Sequence, residues 1–198
     1  KLVKELSFKI KYYYFMESVD LSVVIVTFKS EDKIFSCIKS IPRNVSIIVV
    51  ENSNNINFKN IIENKYSNVK CILLGENKGY SVANNIGLKK VSTKFALVLN
   101  PDTRLNKDTI KNFLIQAAKI NDFWLIGPSN NQDKEYSFVD KNFLEVDNLK
   151  GFGIFFNLMK FSNDYFDEEF FLFFEEIDLC KRIRNKRGKI FLCKDIII

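Results

Sequence analysis

The 198-residue chain is 46% hydrophobic and 27% charged, a composition typical of a packed globular domain that excludes a disordered chain. It contains no His, so His-based catalysis and His metal ligands are excluded within these residues, and no apolar run reaches the roughly 18 residues needed to span a bilayer. The formal net charge of +6 fits phosphate-bearing substrates, an anionic membrane surface or compositional bias, but no nucleic-acid partner is expected, because no Lys/Arg stripe with stacking aromatics is present.

The first 20 residues form a lead-in segment whose composition differs from the rest. Residues 1–11 mix Lys with Leu, Val, Phe and Ile, and a run of aromatic residues follows at 12–15. The pattern leaves two interpretations open: packing against the domain, or peripheral contact with a membrane interface.

From Leu21 onward, apolar runs alternate with segments of helical periodicity. The runs are nearly continuous and rich in β-branched residues, as expected of parallel strands buried on both faces. The predicted strands span 21–27, 46–50, 69–74, 94–99 and 123–127, and the predicted helices span 32–40, 58–66, 80–91 and a segment that begins at 106 or 107. This alternation predicts an α/β fold with a mainly parallel mixed sheet flanked by helices.

The regular alternation of predicted strands and helices ends at Pro128. The predicted features are a strand or hairpin within 135–146, a strand at 150–156, an aromatic and acidic segment at 165–174, a helix at 176–185 and a strand at 189–193. We therefore interpret 21–198 as one domain with a nucleotide-binding half (21–127) and an acceptor half (128–198). Because the chain begins with Lys and ends inside an apolar run, we expect it to be part of a longer protein, truncated at the C-terminus.

Polar residues stand at the predicted carboxyl ends of three strands: Thr27, Glu51 and the turn from Asn100 to Asp102. Ligands of open α/β sheets bind at this edge. Asp102, with Asn100 beside it, suits a hard cation such as Mg²⁺ or Mn²⁺ held against a phosphate, although Pro-Asp-Thr is also common turn chemistry. Glu51 suits a contact with a base or ribose, or is a solvated loop acid.

A strand-to-helix connection contains the next candidate residues, Asn77 and Gly79. A glycine permits positive φ and close backbone approach, and the N-terminus of the following helix favours an anionic group. Ala83 and Asn84 are small or polar residues on that helix, which otherwise carries apolar side chains.

Three acids, Glu175, Glu176 and Asp178, follow the aromatic segment. Neighbouring like charges and apolar surroundings should raise the pKa of at least one of these carboxyl groups, which suits a general base for an alcohol proton. The alternative is a helix N-terminus that carries acids because the helix dipole favours them.

The four cysteines form no CxxC pair, and each sits in an apolar segment. This pattern predicts buried, reduced thiols in a cytoplasmic protein rather than a disulfide framework or a zinc site.

Taken together, these segments resemble the family-2 glycosyltransferases with the GT-A fold, in particular the bacterial rhamnosyltransferase-like branch. The resemblance runs from about Leu21 to Ile198. It rests on five segments in the family's order: 23–28, 49–53, 77–85, 99–103, and 166–171 through 178–182.

The resemblance implies an inverting transfer of a sugar from an NDP-sugar, dTDP-rhamnose or a UDP-sugar, to a glycan or lipid-linked acceptor in cell-surface polysaccharide synthesis. It implies a cytoplasmic enzyme, peripheral at the inner face of the membrane if the acceptor is lipid-linked. Its implied site residues are Thr27, Glu51, Asn77, Gly79, Ala83, Asn84 and Asn100 for the nucleotide, Asp102 at the DXD-type position for Mg²⁺ or Mn²⁺, and Glu176 as catalytic base with Glu175 and Asp178 beside it. We expect the carboxylates of Glu51, Asp102 and Glu176 to surround one pocket.

Three departures from the family pattern leave an alternative open. Glu51 and Glu176 each replace the family's usual Asp, and the metal-ligating His that the family often carries would lie beyond Ile198. A degenerate module that binds a nucleotide or a partner without catalysis is therefore the second interpretation. A nucleotidyltransferase is disfavoured, because no Gly-rich loop follows the first strand.

Overall fold

The computed structural model describes residues 19–120, 122–129 and 142–198. The predicted lead-in up to residue 18 and the 135–141 part of the predicted strand or hairpin lie outside the described residues. In chain order, the described elements are β1 (Leu21–Thr27), α1 (Glu31–Ser40), β2 (Ser46–Glu51), α2 (Ile56–Lys65), β3 (Val69–Leu73), α3 (Gly79–Leu88), β4 (Phe95–Leu99), α4 (Thr109–Lys119), β5 (Leu125–Ser129), β6 (Phe143–Glu145), β7 (Gly153–Asn157), a 3₁₀ turn (Leu158–Lys160), α5 (Glu175–Asn185) and β8 (Ile190–Ile197).

The strands of the described residues form one mixed sheet in the order β3-β2-β1-β4-β7-β5-β8-β6. β1 pairs in parallel with β2 and β4, β2 with β3, and β5 with β8. β7 is antiparallel to β4 and β5, and β6 is antiparallel to β8. The predicted mainly parallel mixed sheet is confirmed. The reversed β7 has a consequence for the site: its first residue, Gly153, pairs with Leu99 at the end of β4, which brings the loop that enters β7 beside the Asn100 turn.

Both faces of the sheet are covered, because successive side chains of a strand point to opposite sides. Every residue of β1 is buried. Val23 and Ile25 belong to a core cluster on one face of the sheet, and Val24 belongs to the cluster on the other face. That first cluster takes the apolar faces of α1, α2 and α4, and Phe113 of α4 stacks on Phe155 of β7 with ring centroids 5.0 Å apart. The cluster on the other face contains Leu88 of α3 and Leu179, Cys180 and Ile183 of α5. The helices therefore leave the carboxyl ends of β1 and β4 as the edge where a ligand can bind.

Most element boundaries differ from the predictions by a few residues; for example, α4 begins at Thr109 rather than at 106 or 107, and β7 begins at Gly153 rather than at 150. β5 begins at Leu125 rather than at Phe123, whose ring packs on Phe95 with centroids 6.0 Å apart. β8 continues to Ile197 instead of ending at Cys193, and the Ile197 carbonyl accepts a hydrogen bond of 2.8 Å from the Thr109 hydroxyl. α3 ends at Leu88 rather than at residue 91. These are boundary shifts, and the order of elements is unchanged.

The four cysteines are buried free thiols, as predicted. Burial raises the pKa of Cys37 and Cys180 to about 11 and that of Cys71 and Cys193 to about 12, so these thiols stay protonated at neutral pH. Among the helices of the described ranges, none combines the length and apolar character needed to cross a membrane.

Candidate active site

A cavity of about 460 Å³ opens at the carboxyl edge of the sheet. Its walls come from the segment after β1, the turn after β4, the N-terminus of α3, the loop before β7 and the segment that leads into α5. Six of the predicted site residues line it: Asn77, Gly79, Asn100, Asp102, Glu175 and Glu176. The cavity thus joins residues from both predicted halves of the domain.

One wall is the Asn100–Thr103 turn. The Asn100 carbonyl accepts from the backbone N–H of Thr103 at 3.2 Å and from its hydroxyl at 2.7 Å, which closes the turn. The Asn100 N–H donates to the Phe152 carbonyl at 3.1 Å and ties the turn to the loop before β7. The Asp102 side chain is 57% exposed, with one carboxylate oxygen 3.9 Å from the ammonium group of Lys33. The turn therefore presents a hydrated carboxylate to the cavity.

A second wall, the turn before α3, is held by Asn52, a residue that the sequence analysis did not select. The Asn52 amide is buried and donates to Asn77 Oδ1 at 2.8 Å and to the Gly79 carbonyl at 3.1 Å, while its oxygen accepts from the Lys78 N–H at 2.9 Å. Asn77 Oδ1 also accepts from the Gly79 N–H at 3.1 Å. A satisfied buried amide fixes this turn, and its sequence signal was only its place directly after Glu51.

The opposite wall contains the acids at the start of α5. Glu175 is buried, and Glu176 is partly exposed. Burial raises the pKa of Glu175, and the charge of Glu176 adds to the rise. This confirms the expectation that at least one carboxyl group of the cluster has a raised pKa. A Cβ placed on Gly151 would lie 3.6 Å from the Glu176 carboxyl carbon, so the Glu176 side chain lies beside the loop before β7.

Asp178 does not line the cavity, although Glu175 and Glu176 do. Its carboxylate accepts a hydrogen bond of 2.6 Å from Arg182 Nε, one helical turn later. Two residues along an α-helix correspond to a rotation of about 200°, so Asp178 and Glu176 project from opposite sides of α5. The expected grouping of three acids is reduced to Glu175 and Glu176.

Glu51 does not line the cavity either, which corrects the expected pocket of three carboxylates. The carboxylate of Glu51 is buried and accepts from the Ser53 hydroxyl at 2.6 Å and from the Asn55 N–H at 3.0 Å. It is thus directed at the turn that follows its own strand. Thr27, which pairs with Glu51 in the sheet register, has a buried hydroxyl without a hydrogen-bond partner among the described residues.

Ala83 and Asn84 are buried within α3 and stand behind the lining. Asn84 Nδ2 donates to the Tyr80 carbonyl at 3.0 Å, one turn earlier on the same helix. The structure therefore gives Asn84 a contact within its helix, and Ala83 packs against the sheet beside Val26.

The donor set at Asp102 and Asn100 fits a Mg²⁺ or Mn²⁺ ion that takes its other ligands from a substrate. Both side chains offer oxygen atoms, which these hard cations prefer, and Asp102 is hydrated enough to bind one. Over the ranges 19–120, 122–129 and 142–198, no cluster of three or more His, Cys, Asp or Glu side chains forms a complete protein cage. One carboxylate plus diphosphate oxygens and water is a common arrangement for Mg²⁺.

Sequence comparison finds the Glycosyl transferase family 2 model over residues 22–178. A curated relative, the low-salt glycan biosynthesis hexosyltransferase Agl10 of Haloferax volcanii, is 27% identical over 201 aligned positions, which cover 88% of this chain and 65% of the relative. The chain therefore spans slightly less than two thirds of that relative's length.

Structural comparison finds two informative likenesses. TarS 1–349 of S. aureus matches with a TM-score of 0.70 and 22% identity, covering 88% of this chain and 58% of that one. The mannosyltransferase PcManGT from Pyrobaculum calidifontis, solved with GDP-Man and Mn²⁺, matches with a TM-score of 0.69 and 12% identity, covering 94% and 62%. These likenesses confirm the GT-A fold, and the family model extends over most of the chain; the chain belongs to glycosyl transferase family 2.

Proposed function

We propose that this domain transfers a sugar from a nucleoside diphosphate sugar to an acceptor hydroxyl. The observation that supports it most directly is the cavity itself, where Asp102 on one wall and Glu176 on another face the same space. A carboxylate at the position of Asp102 can hold a cation against a diphosphate, and a carboxylate at the position of Glu176 can accept the proton of an incoming alcohol. Membership of glycosyl transferase family 2 supports the same assignment.

The donor side is formed by the Asn77–Gly79 turn and the Asn100–Asp102 turn. Gly79 begins α3 and lines the cavity, so the positive end of the helix dipole lies close to the place where an anionic diphosphate would bind. Asp102 and Asn100 would hold a divalent cation, which neutralises the charge that grows on a departing diphosphate. TarS 1–349 has been solved with UDP-GlcNAc and PcManGT with GDP-Man, so UDP and GDP sugars are donors to test. The resemblance to the rhamnosyltransferase-like branch adds dTDP sugars.

On the acceptor side, Glu176 accepts the proton of the attacking hydroxyl in this proposal. Burial raises the pKa of Glu175, whereas Glu176 is the more exposed of the two acids and lines the cavity, where an acceptor hydroxyl can reach it. Attack on the face opposite the diphosphate inverts the anomeric centre. The expected acceptor is a glycan or a lipid-linked glycan of the cell surface, reached from the cytoplasmic face of the membrane; the rhamnosyl donor stays a prediction.

The donor proposal is tested by calorimetric titration with UDP, dTDP and GDP, each with and without Mn²⁺. We expect one nucleotide to bind at least ~10-fold more tightly with Mn²⁺. Asp102→Asn should remove the effect of Mn²⁺ while the protein stays folded. Asp108→Asn is the matched control, because Asp108 is exposed and lies outside the cavity lining. If none of the three diphosphates binds the unmodified protein, the donor proposal is wrong.

The catalytic proposal is tested with Glu176→Gln, which keeps the shape of the side chain and removes the base. Sugar transfer should fall by at least ~100-fold, with nucleotide affinity changed by less than about 3-fold. Glu169→Gln is the control, because Glu169 is exposed and does not line the cavity. If the unmodified protein binds a diphosphate but neither transfers nor hydrolyses any matching NDP-sugar, the alternative of a non-catalytic nucleotide-binding module is favoured.

A further inference from the structure

Tyr80 stands where the walls of the cavity meet. Its hydroxyl lies 3.2 Å from Asn100 Oδ1 in the turn after β4 and 3.2 Å from the Gly151 carbonyl in the loop before β7. Its backbone N–H donates to the Phe171 carbonyl at 2.7 Å, in the segment that leads into α5. A single residue therefore contacts three segments that are far apart in the sequence.

The two hydroxyl contacts compete, because a phenol has one proton to donate and both neighbours are acceptors. The distances are equal, so the proton has two alternative acceptors. Burial raises the pKa of Tyr80, so the phenol keeps its proton at neutral pH. The Tyr80 hydroxyl therefore donates its proton either to the Asn100 side chain in the turn after β4 or to the Gly151 carbonyl in the loop before β7.

We propose that Tyr80 is a positioning residue whose hydroxyl links occupancy of the donor site to the order of the acceptor side. The inference rests on the proposed function and deepens it. A ligand at the Asn100–Asp102 turn that engages the Asn100 side-chain oxygen leaves the Gly151 carbonyl as the acceptor for the Tyr80 proton. The Gly151 loop is then fixed, and this loop faces the Glu176 carboxyl group.

The backbone contact supports the same link. The Tyr80 N–H holds the Phe171 carbonyl four residues before α5 begins at Glu175. Further along α3, Asn85 pairs with the backbone of Phe166, donating to its carbonyl at 2.8 Å and accepting from its N–H at 3.0 Å. The helix α3 thus connects the Asn77–Gly79 turn at its N-terminus with Phe166 and Phe171, which lie in the segment that leads into α5.

The test is hydrogen exchange of the unmodified protein and of Tyr80→Phe, with and without the diphosphate that binds best among UDP, dTDP and GDP, in Mn²⁺. In the unmodified protein, nucleotide should slow exchange at residues 77–79 and, by ~5-fold or more, at residues 151–153. In Tyr80→Phe saturated with nucleotide, protection at 77–79 should remain, whereas protection at 151–153 should fall below about 2-fold.

Tyr165→Phe is the matched control, because the Tyr165 hydroxyl makes a 3.4 Å contact to Asn163 outside this cavity. It should leave nucleotide-dependent protection at 151–153 unchanged. Full retention of that protection in Tyr80→Phe would overturn the inference and leave the proposed function intact. Absence of nucleotide binding to the unmodified protein would overturn the proposed function, and the inference with it.

Discussion

Gly79 lies directly against the backbone of Phe171. A Cβ added to Gly79 would lie 2.7 Å from the Phe171 carbonyl oxygen and 3.0 Å from its Cα, closer than real Cβ atoms come to backbone. The contact joins the turn before α3 to the segment that leads into α5. The two walls of the cavity therefore meet at a point where only a glycine fits.

Gly79→Ala should be clearly more destabilising than Gly75→Ala. Both glycines have positive φ, +83 and +82, so both substitutions incur left-handed strain of ~1 kcal/mol. Gly79→Ala adds the clash with Phe171, which raises its expected loss to ~3 kcal/mol, whereas a Cβ at Gly75 meets no atom within 4 Å. Urea unfolding measures both free energies. If the two variants lose the same free energy of unfolding, Phe171 moves away from the new Cβ at no measurable cost, and the prediction is wrong.

Asn52→Asp should destabilise the fold by ~3 kcal/mol and weaken nucleotide binding. The new carboxylate would face two acceptors, Asn77 Oδ1 and the Gly79 carbonyl, at positions where the amide now donates. Asn54→Asp adds the same charge at an exposed site and should change stability by less than ~0.5 kcal/mol. Chemical denaturation and nucleotide titration of both variants check this. A stable Asn52→Asp protein with normal affinity would contradict the role assigned to Asn52.

Glu175→Gln should become more stabilising relative to the unmodified protein as pH rises. The pKa of Glu175 is raised by burial, so its carboxyl group is neutral in the folded and unfolded states at pH well below its ordinary pKa. Above the raised pKa, the folded protein has to bury a charge that the unfolded chain keeps in water, and stability is lost. Gln has no such charge.

The measurement is the free energy of unfolding of both proteins at several pH values from 4 to 8. The difference between them should be smallest at the acid end and should grow as pH passes through the raised pKa of Glu175. Acids far from Glu175 contribute equally to both proteins and cancel in the difference. Parallel curves over this range would show that burial does not perturb Glu175.

Phe173→Asn should stabilise the fold. Phe173 and Phe174 are consecutive residues with φ +70 and +69, and their side chains are 67% and 66% exposed. The left-handed backbone conformation costs free energy in a Phe residue, and these exposed side chains gain little from burial to offset that cost. Asn tolerates the left-handed conformation. We expect a gain of ~1 kcal/mol in the free energy of unfolding. Leu172→Asn, at a similarly exposed neighbour without positive φ, should give no gain; equal effects would assign the change to lost apolar surface instead.

Much of the fold follows from local sequence. The β-branched run from Leu21 to Thr27 reads as a buried strand because burial on both faces permits no polar alternation, and the structure confirms it. The prediction was wrong by a few residues where tertiary contacts decide an end, as at Phe123, whose ring packs in the core. The last part of β8 was not predicted, because Lys194 and Asp195 interrupt its apolar run; both side chains are exposed, and the strand continues through them.

The candidate site divides in the same way. A residue at the end of a parallel strand lies at the ligand edge of the sheet, so the turn with Asp102 could be placed from sequence. The residues alone indicated a cluster of three acids, and only the family resemblance singled out Glu176. Side-chain direction could not be placed. Glu51 turns to Ser53 and Asn55, and Asp178 turns to Arg182, because hydrogen bonds available in the folded chain decide where a carboxylate points.

The sequence alone determined the order of strands and helices and which strand ends carry polar residues, because hydrophobic periodicity and turn chemistry act over a few neighbouring residues. The tertiary structure alone decided that Asn52 holds a turn 25 residues away and that Tyr80 reaches Gly151 across 71 residues. Such contacts form only when the sheet brings distant segments together, and no local pattern encodes the distance between them.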